Sequence, residues 1–393
     1  MLDTDKIRED FPLVDEYIYF DNACLTLKPY SVIQAVDEYY HEFPVCAGRS
    51  SHSLSNKLTR RVTSARESLR SLINAEDRSE IVFTKNATES INMVARGLNF
   101  QKGDVVISTD KEHNSNLAPW LMLKKKRDIE YRQVASEDDG TFSLENLEEM
   151  MSKDVKLVSM VHTSNLDGVS IPAEEIGKIA RDYDAYFMLD AAQSVPHRPI
   201  DVKGLGVDFM AFSVHKMLGP TGVGVLYGRK ELLDELEPLV VGGGSVKNTH
   251  YDELELHSSP ARFEGGLQNY AGICGVKAAV DYLLDIGLEE IEDHEVHLNR
   301  IATEALEDLV DILGPREPEL RTGIFNFNIE QLGCHEMALL LEEDGVLTRG
   351  GMQCVHSWYN AKNIEGGTRV SFYIYNTPEE VETMIGVITD LLG

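Results

Sequence analysis

No run of about 18 consecutive apolar residues occurs in this chain, so a membrane-spanning helix is not expected. Cysteine is sparse and unpatterned. The five (Cys24, Cys46, Cys274, Cys334 and Cys354) are odd in number, widely spaced and free of any C-x-x-C pair. That argues against a disulfide framework or a metal cluster and for a reducing compartment. Positive charge is scarce, with 37 Lys and Arg against 66 Asp and Glu and a net charge of −29. Such a surface repels phosphate backbones, so no nucleic-acid partner is expected. The acidic balance fits a salt-rich cytoplasm, an acidic proteome or a basic partner protein equally well. The opening residues Met1 to Asp10 lack the apolar core of a signal peptide. Internal repeats, low-complexity tracts and linker-like stretches are also missing, and a soluble cytoplasmic protein is the expectation.

What remains is an ordinary globular composition in a chain of 393 residues, 42% hydrophobic, enough for a large core and two domains. From about residue 80 to 228, short β-rich runs alternate with helical patterns. The predicted strands are 81–84, 105–108, 156–162, 185–190, 207–213 and 222–227, with helices over 88–98 and 173–184 between them. This alternation implies α/β architecture: a mostly parallel sheet covered by helices on both faces. The 222–227 run follows its predecessor too closely for a helical crossover, so it is expected to run antiparallel. A periodic stretch from Gly272 to Ile286 suits a helix linking two domains. Strands over 323–329, 346–349 and 368–373, closed by a helix from Pro378 to Leu392, predict a smaller α+β C-terminal domain. The expected division is an N-terminal segment (1–15) packing with the small domain, a large domain (16–265), and a linking helix with the small domain (266–393).

The polar residues cluster just after strands, the edge where such sheets bind ligands. Ala87 and Thr88 open a helix, where free N–H groups suit a phosphate, although Thr88 also reads as a plain N-cap. His113 follows the second strand; a lone loop histidine is ordinarily solvated. Asn165 offers a side-chain amide or a turn residue. Asp190 ends an apolar strand, a costly place for a carboxylate unless it meets a cation. Lys216 sits between a histidine and the Gly219-Pro220 turn, where an apolar setting can strip its charge and make it nucleophilic. A phosphate cradle, a flat stacking residue, an amide, a buried carboxylate and a lysine together meet the needs of an aldehyde cofactor with a pyridinium ring.

The sequence resembles the fold-type I, class V pyridoxal-phosphate enzymes, and among them the cysteine desulfurases. The resemblance rests on Tyr19-Phe-Asp-Asn-Ala23, Arg49-Ser-Ser-His52, Ala87-Thr-Glu89, Glu112-His113, Leu189-Asp-Ala-Ala-Gln193, Ser213-Val-His-Lys216, Gly242-Gly-Gly-Ser245 and Arg262-Phe-Glu-Gly-Gly266. It implies pyridoxal 5'-phosphate as cofactor, with Ala87, Thr88, Ser213 and His215 at the phosphate and His113 stacked on the ring. It further implies Asp190 at the ring nitrogen, Gln193 and Asn165 near the ring hydroxyl, and Lys216 as the Schiff-base lysine. The family's site lies at a homodimer interface, so the segment ending at Gly266 is expected to serve the neighbouring subunit's cofactor.

The reaction is read from Arg349-Gly-Gly-Met-Gln-Cys354, which matches the R-x-G-x-x-C pattern of the SUF-type (group II) desulfurases. Arg369 falls where the family clamps the substrate carboxylate, and Arg349, Arg49 and Asn165 are the other expected substrate contacts. The implied activity converts L-cysteine to alanine, leaving a persulfide on Cys354 for a sulfur-acceptor protein in iron–sulfur cluster or thio-cofactor supply. Selenocysteine lyase, or a class V aminotransferase or epimerase in which Cys354 is idle, are the alternatives. Three positions depart from the pattern. Met352 and Gln353 replace two histidines before the cysteine, and Leu267 replaces a threonine expected to touch phosphate across the subunit boundary. His356, two residues past Cys354, is a candidate acid or base or a solvated side chain. The other four cysteines are read as inert, with reserve for Cys24 and Cys46, whose segments can approach the site.

Overall fold

The computed structural model describes residues 2–392. A seven-stranded sheet forms its centre, in the spatial order Ile81–Thr84, Gly224–Gly228, Phe209–Ser213, Tyr186–Asp190, Val155–Val161, Val105–Thr109 and Glu130–Val134. Gly224–Gly228 runs antiparallel to both neighbours, as its short connection requires, and all the other pairings are parallel. The inner strands are buried almost without interruption, the signature of a sheet covered on both faces. Glu130–Val134 is the strand that the sequence pattern misses. It is an edge strand in which only Val134 is buried, so Glu130, Arg132 and Gln133 give it no apolar signature.

Strand order reverses between Val105–Thr109 and Val155–Val161, because the chain first moves outward to Glu130–Val134 and then returns to build the other side. Ligands bind in such sheets at this reversal, outside the carboxyl ends of the strands. The strand ends that precede His113, Asn165, Lys216 and the Ala87–Gly97 helix, with the one that Asp190 itself closes, all lie on that edge.

The helix Tyr270–Ile286 packs along Tyr30–Glu42 and Ser53–Leu72 and leads to a four-stranded antiparallel sheet: Asp311–Ile312, Ile324–Asn328, Gly367–Ser371 and Arg349–Gly351 in order. The single strand expected over 346–349 is in fact two. Val346–Leu347 pairs in parallel with Ile18–Tyr19, and Arg349–Gly351 turns onto Gly367–Ser371. That turn sets Arg349 directly opposite Arg369. Near the N-terminus, Arg8 Nη1 donates to Tyr375 O (2.8 Å) and to Glu380 Oε1 (2.6 Å), tying the Thr4–Arg8 helix to the C-terminal Pro378–Leu392 helix. No described helix is long and apolar enough to cross a membrane.

Candidate active site

Strand ends and the start of one helix enclose a cavity of about 200 Å³ lined by Ala87, Thr88, His113, Asn165, Asp190, Gln193, Ser213, His215, Lys216, Arg349, Cys354 and Arg369. These residues span nearly 300 positions of sequence. The central sheet brings those up to Lys216 to one edge, and Arg349, Cys354 and Arg369 come from the four-stranded sheet and the turn that follows Arg349–Gly351.

At one end the Ala87–Gly97 helix begins. Its N-cap Asn86 accepts from Glu89 N (2.9 Å), and Ala87 N donates to Ser213 Oγ (2.9 Å), which leaves the Ser213 hydroxyl hydrogen free to face an anion. Close approach of this helix start to the sheet depends on Gly224, where a Cβ would lie 2.3 Å from the Cα of Asn86. The Lys216 turn is pinned from the N-terminal segment. His215 O accepts from Thr26 N (3.2 Å) and Lys28 Nζ (3.1 Å), and Thr26 Oγ1 accepts from Leu218 N (3.0 Å).

Burial dominates the electrostatics. It pushes the Lys216 ammonium down to about 8, against the opposing pull of Asp190 and with help from the Arg369 charge. Asp190, 3% exposed, is pushed above the usual carboxylate range by burial, opposed by a hydrogen bond from Ala192 N (3.1 Å) and by Lys216. His113 is driven down to about 3 by burial first and then by Lys216, Arg369 and Arg349, so its ring is neutral. Its Nδ1 accepts from Ser115 N (3.1 Å), which places the ring proton on Nε2. Burial and the neighbouring Lys216 and Lys28 hold His215 near 4.

At the other end, the opposed pair Arg349 and Arg369 converges on Asp21. Arg369 Nη2 lies 3.0 Å from Asp21 Oδ1, and Arg349 Nη1 lies 3.8 Å from Asp21 Oδ2. Arg369 is 2% exposed; Nη1 donates to Asn165 O (3.1 Å), and Nε has no partner. Cys354 is half-buried and follows Gln353 with both residues in the left-handed region (φ 63° and 41°). Asn114 N donates to Cys354 O (2.8 Å), and Asn165 Nδ2 donates to Gln353 O (2.8 Å). One of the two Asn165 amide hydrogens is therefore committed to the cysteine loop. Gln193 likewise spends an amide hydrogen on Ala23 O (2.7 Å).

Arg49 and Gly266 are not brought to this cavity. They meet each other elsewhere on the chain, Arg49 Nη2 donating to Gly266 O (2.8 Å) and Gly243 O (3.1 Å). One contributor escapes the sequence reading. Asp21 joins the two arginines across 348 positions of chain, which no local pattern reveals. Cys24, read as inert with reserve because its segment can approach the site, does line the cavity, because the backbone after Asp21 is anchored on the Arg369 strand (Ala23 N to Ser371 Oγ, 2.9 Å). Among the described residues no cluster of His, Cys, Asp and Glu could hold a metal ion.

Residues 18–384 match the family model described as aminotransferase class-V. The chain is 41% identical over 392 residues to a probable cysteine desulfurase of Pyrococcus abyssi, covering 99% of this chain and 97% of that one. It is 36% identical over 411 residues to a cysteine desulfurase of Haloferax volcanii, covering 98% and 96%. Among solved structures it superposes on a cysteine desulfurase from Thermococcus onnurineus NA1 with a TM-score of 0.97 at 40% identity, covering 100% of this chain and 98% of that one. The cysteine desulfurase CsdA of Escherichia coli gives a TM-score of 0.93 at 30% identity, covering 100% and 99%.

Proposed function

The chain belongs to the aminotransferase class-V family and, within it, to the cysteine desulfurases, and we propose that it converts L-cysteine to alanine while Cys354 takes the sulfur as a persulfide. The observation that carries this reading is that one cavity is lined by Lys216, the buried carboxylate of Asp190, Arg369 and Cys354.

The residues fit pyridoxal 5'-phosphate. Asp190 is buried with a single hydrogen bond from Ala192 and suits a protonated ring nitrogen. The helix start beside Ser213 suits the phosphate together with Thr88 and His215, and His113 presents a neutral ring. Gln193 and Asn165 retain acceptor oxygens for the ring hydroxyl. When bound, the cofactor supplies an electrophilic carbon for Lys216 and a ring that withdraws electrons from the substrate Cα.

The chain's own residues do the rest. Arg369, which lines the cavity, holds the substrate carboxylate, and Arg349 adds charge at the same end. The Lys216 amine, uncharged above about pH 8, takes the Cα proton. Cys354 Sγ attacks the substrate sulfur; the S–S bond forms as the C–S bond breaks. The left-handed pair Gln353–Cys354 and the Asn114 and Asn165 hydrogen bonds to its backbone hold the cysteine in the cavity lining.

The Arg349 to Cys354 spacing supports a SUF-type assignment. A homodimer is part of the proposal, with the Arg49–Gly266 cluster serving the neighbouring subunit, and so is a cytoplasmic role passing sulfur to an acceptor protein. Purified, cofactor-loaded protein should release alanine and sulfide from L-cysteine in the presence of a thiol reductant. An aminotransferase would instead give a 2-oxo acid and an epimerase the D-isomer, and either product in place of alanine would overturn the reading.

A further inference from the structure

The cavity contains a second thiol that the proposed reaction leaves idle. Cys24 Sγ accepts a hydrogen bond from Arg349 Nη1 at 2.7 Å, is half-buried, and lines the same cavity as Cys354, Lys216 and Arg369. Its position is built. Cys24 N donates to Asp21 O (3.1 Å), and the Asn22 side chain donates to Ser371 O (2.7 Å) on the strand that carries Arg369. The Cys354 loop is tethered to the same pair of strands, with Gln353 Nε2 donating to Gly367 O (2.6 Å) and to Arg349 O (3.4 Å). Cys24 and Cys354 both line this one cavity, and both stand near enough to Lys216 and Arg349 for their charges to interact.

We propose that Cys24 is a second sulfur-carrying residue of this site, accepting the sulfane sulfur from the Cys354 persulfide. The proposal rests on the desulfurase reading above. The Cys24 thiolate attacks the outer sulfur of Cys354–S–SH. A new S–S bond forms at Cys24 as the old one breaks, and Cys354 leaves as a thiolate. The proton lost by Cys24 ends on Cys354, so Cys24–SH and Cys354–S–SH become Cys24–S–SH and Cys354–SH. Nothing is oxidised or reduced overall, and no outside reagent is needed. The Arg349 donor already lies on Cys24 Sγ, where the arriving sulfur would be bound. Cys354 is thereby freed for another cysteine before any acceptor arrives.

The test uses cofactor-loaded protein treated with L-cysteine without reductant or acceptor, then alkylated and examined by peptide mass spectrometry. One extra sulfur is expected on the Cys354 peptide and one on the Cys24 peptide, and Cys354→Ser should remove both. Cys24→Ser should keep the sulfur on Cys354 and halve the initial burst of alanine. Sulfur on Cys354 with Cys24 unmodified overturns the relay and leaves the desulfurase reading standing. Sulfur on neither overturns both. Sulfur on Cys24 that persists in Cys354→Ser overturns the relay by making Cys24 a direct acceptor. If Cys24→Ser does not fold, the wild-type and Cys354→Ser labelling decide the matter.

Discussion

Replacing Asp21 with asparagine removes the one carboxylate that two opposed arginines share. Arg349 and Arg369 face each other across the antiparallel register, an arrangement that is destabilising for like charges. Asp21 offsets it with a 3.0 Å contact to Arg369 and a 3.8 Å contact to Arg349. At an effective dielectric of about 20, charge centres about 4 Å apart attract by about 4 kcal/mol. The Asp21 side chain is 22% exposed, which reduces that figure, whereas leaving the 2%-exposed Arg369 unpaired pushes it back toward the ~3–5 kcal/mol of a broken buried pair. Asp21→Asn should therefore lower the unfolding free energy by about 3 kcal/mol, read from urea denaturation of the cofactor-loaded protein. Because part of the loss is repulsion between the two guanidinium groups, the same change made in an Arg349→Gln background should cost about 1 kcal/mol less. A loss no larger than the ~0.5 kcal/mol of an exposed pair, or an equal loss in both backgrounds, would refute the reasoning.

Other outcomes follow from the same geometry. Gly224→Ala pushes a Cβ to 2.3 Å from the Asn86 backbone, so it should cost about 3 kcal/mol and loosen cofactor retention on dialysis; unchanged stability would show that the helix start can shift. Arg369→Ala should weaken amino-acid binding far more than cofactor binding in spectral titrations, and an equal loss of both would remove its assignment to the substrate carboxylate. His162, buried beside Ser194 and held near 3 mainly by burial, binds its proton only after unfolding between about pH 6.5 and 3. The unfolded state therefore binds more protons in that window, and stability falls as pH drops. His162→Asn should flatten that fall, and an unchanged slope would mean the histidine titrates normally when folded.

The sheet was legible wherever burial on both faces left continuous apolar runs, and the reversed Gly224–Gly228 strand was legible from its short connection alone. Glu130–Val134 was not, because this edge strand buries only Val134. In the site, Asp190 and Lys216 stood out because each puts a charge at the end of an apolar strand. The joint at Asp21 was invisible and the placement of Cys24 only half-legible, since both depend on the N-terminal segment lying on a strand some 350 positions away. Arg49 and Gly266 carry the opposite lesson. Both belong to recognisable motifs, yet within one chain they contact each other rather than the cavity.

The central claim is that sulfur leaves cysteine by attack of Cys354 in a site whose chemistry depends on Lys216. A single-turnover reaction of the loaded protein with L-cysteine, quenched and read for alanine and for sulfur on the Cys354 peptide, tests it most directly. The expected result is persulfide on Cys354 appearing together with alanine, and neither in Lys216→Ala. Alanine and sulfide formed at the wild-type rate by Cys354→Ala would contradict it.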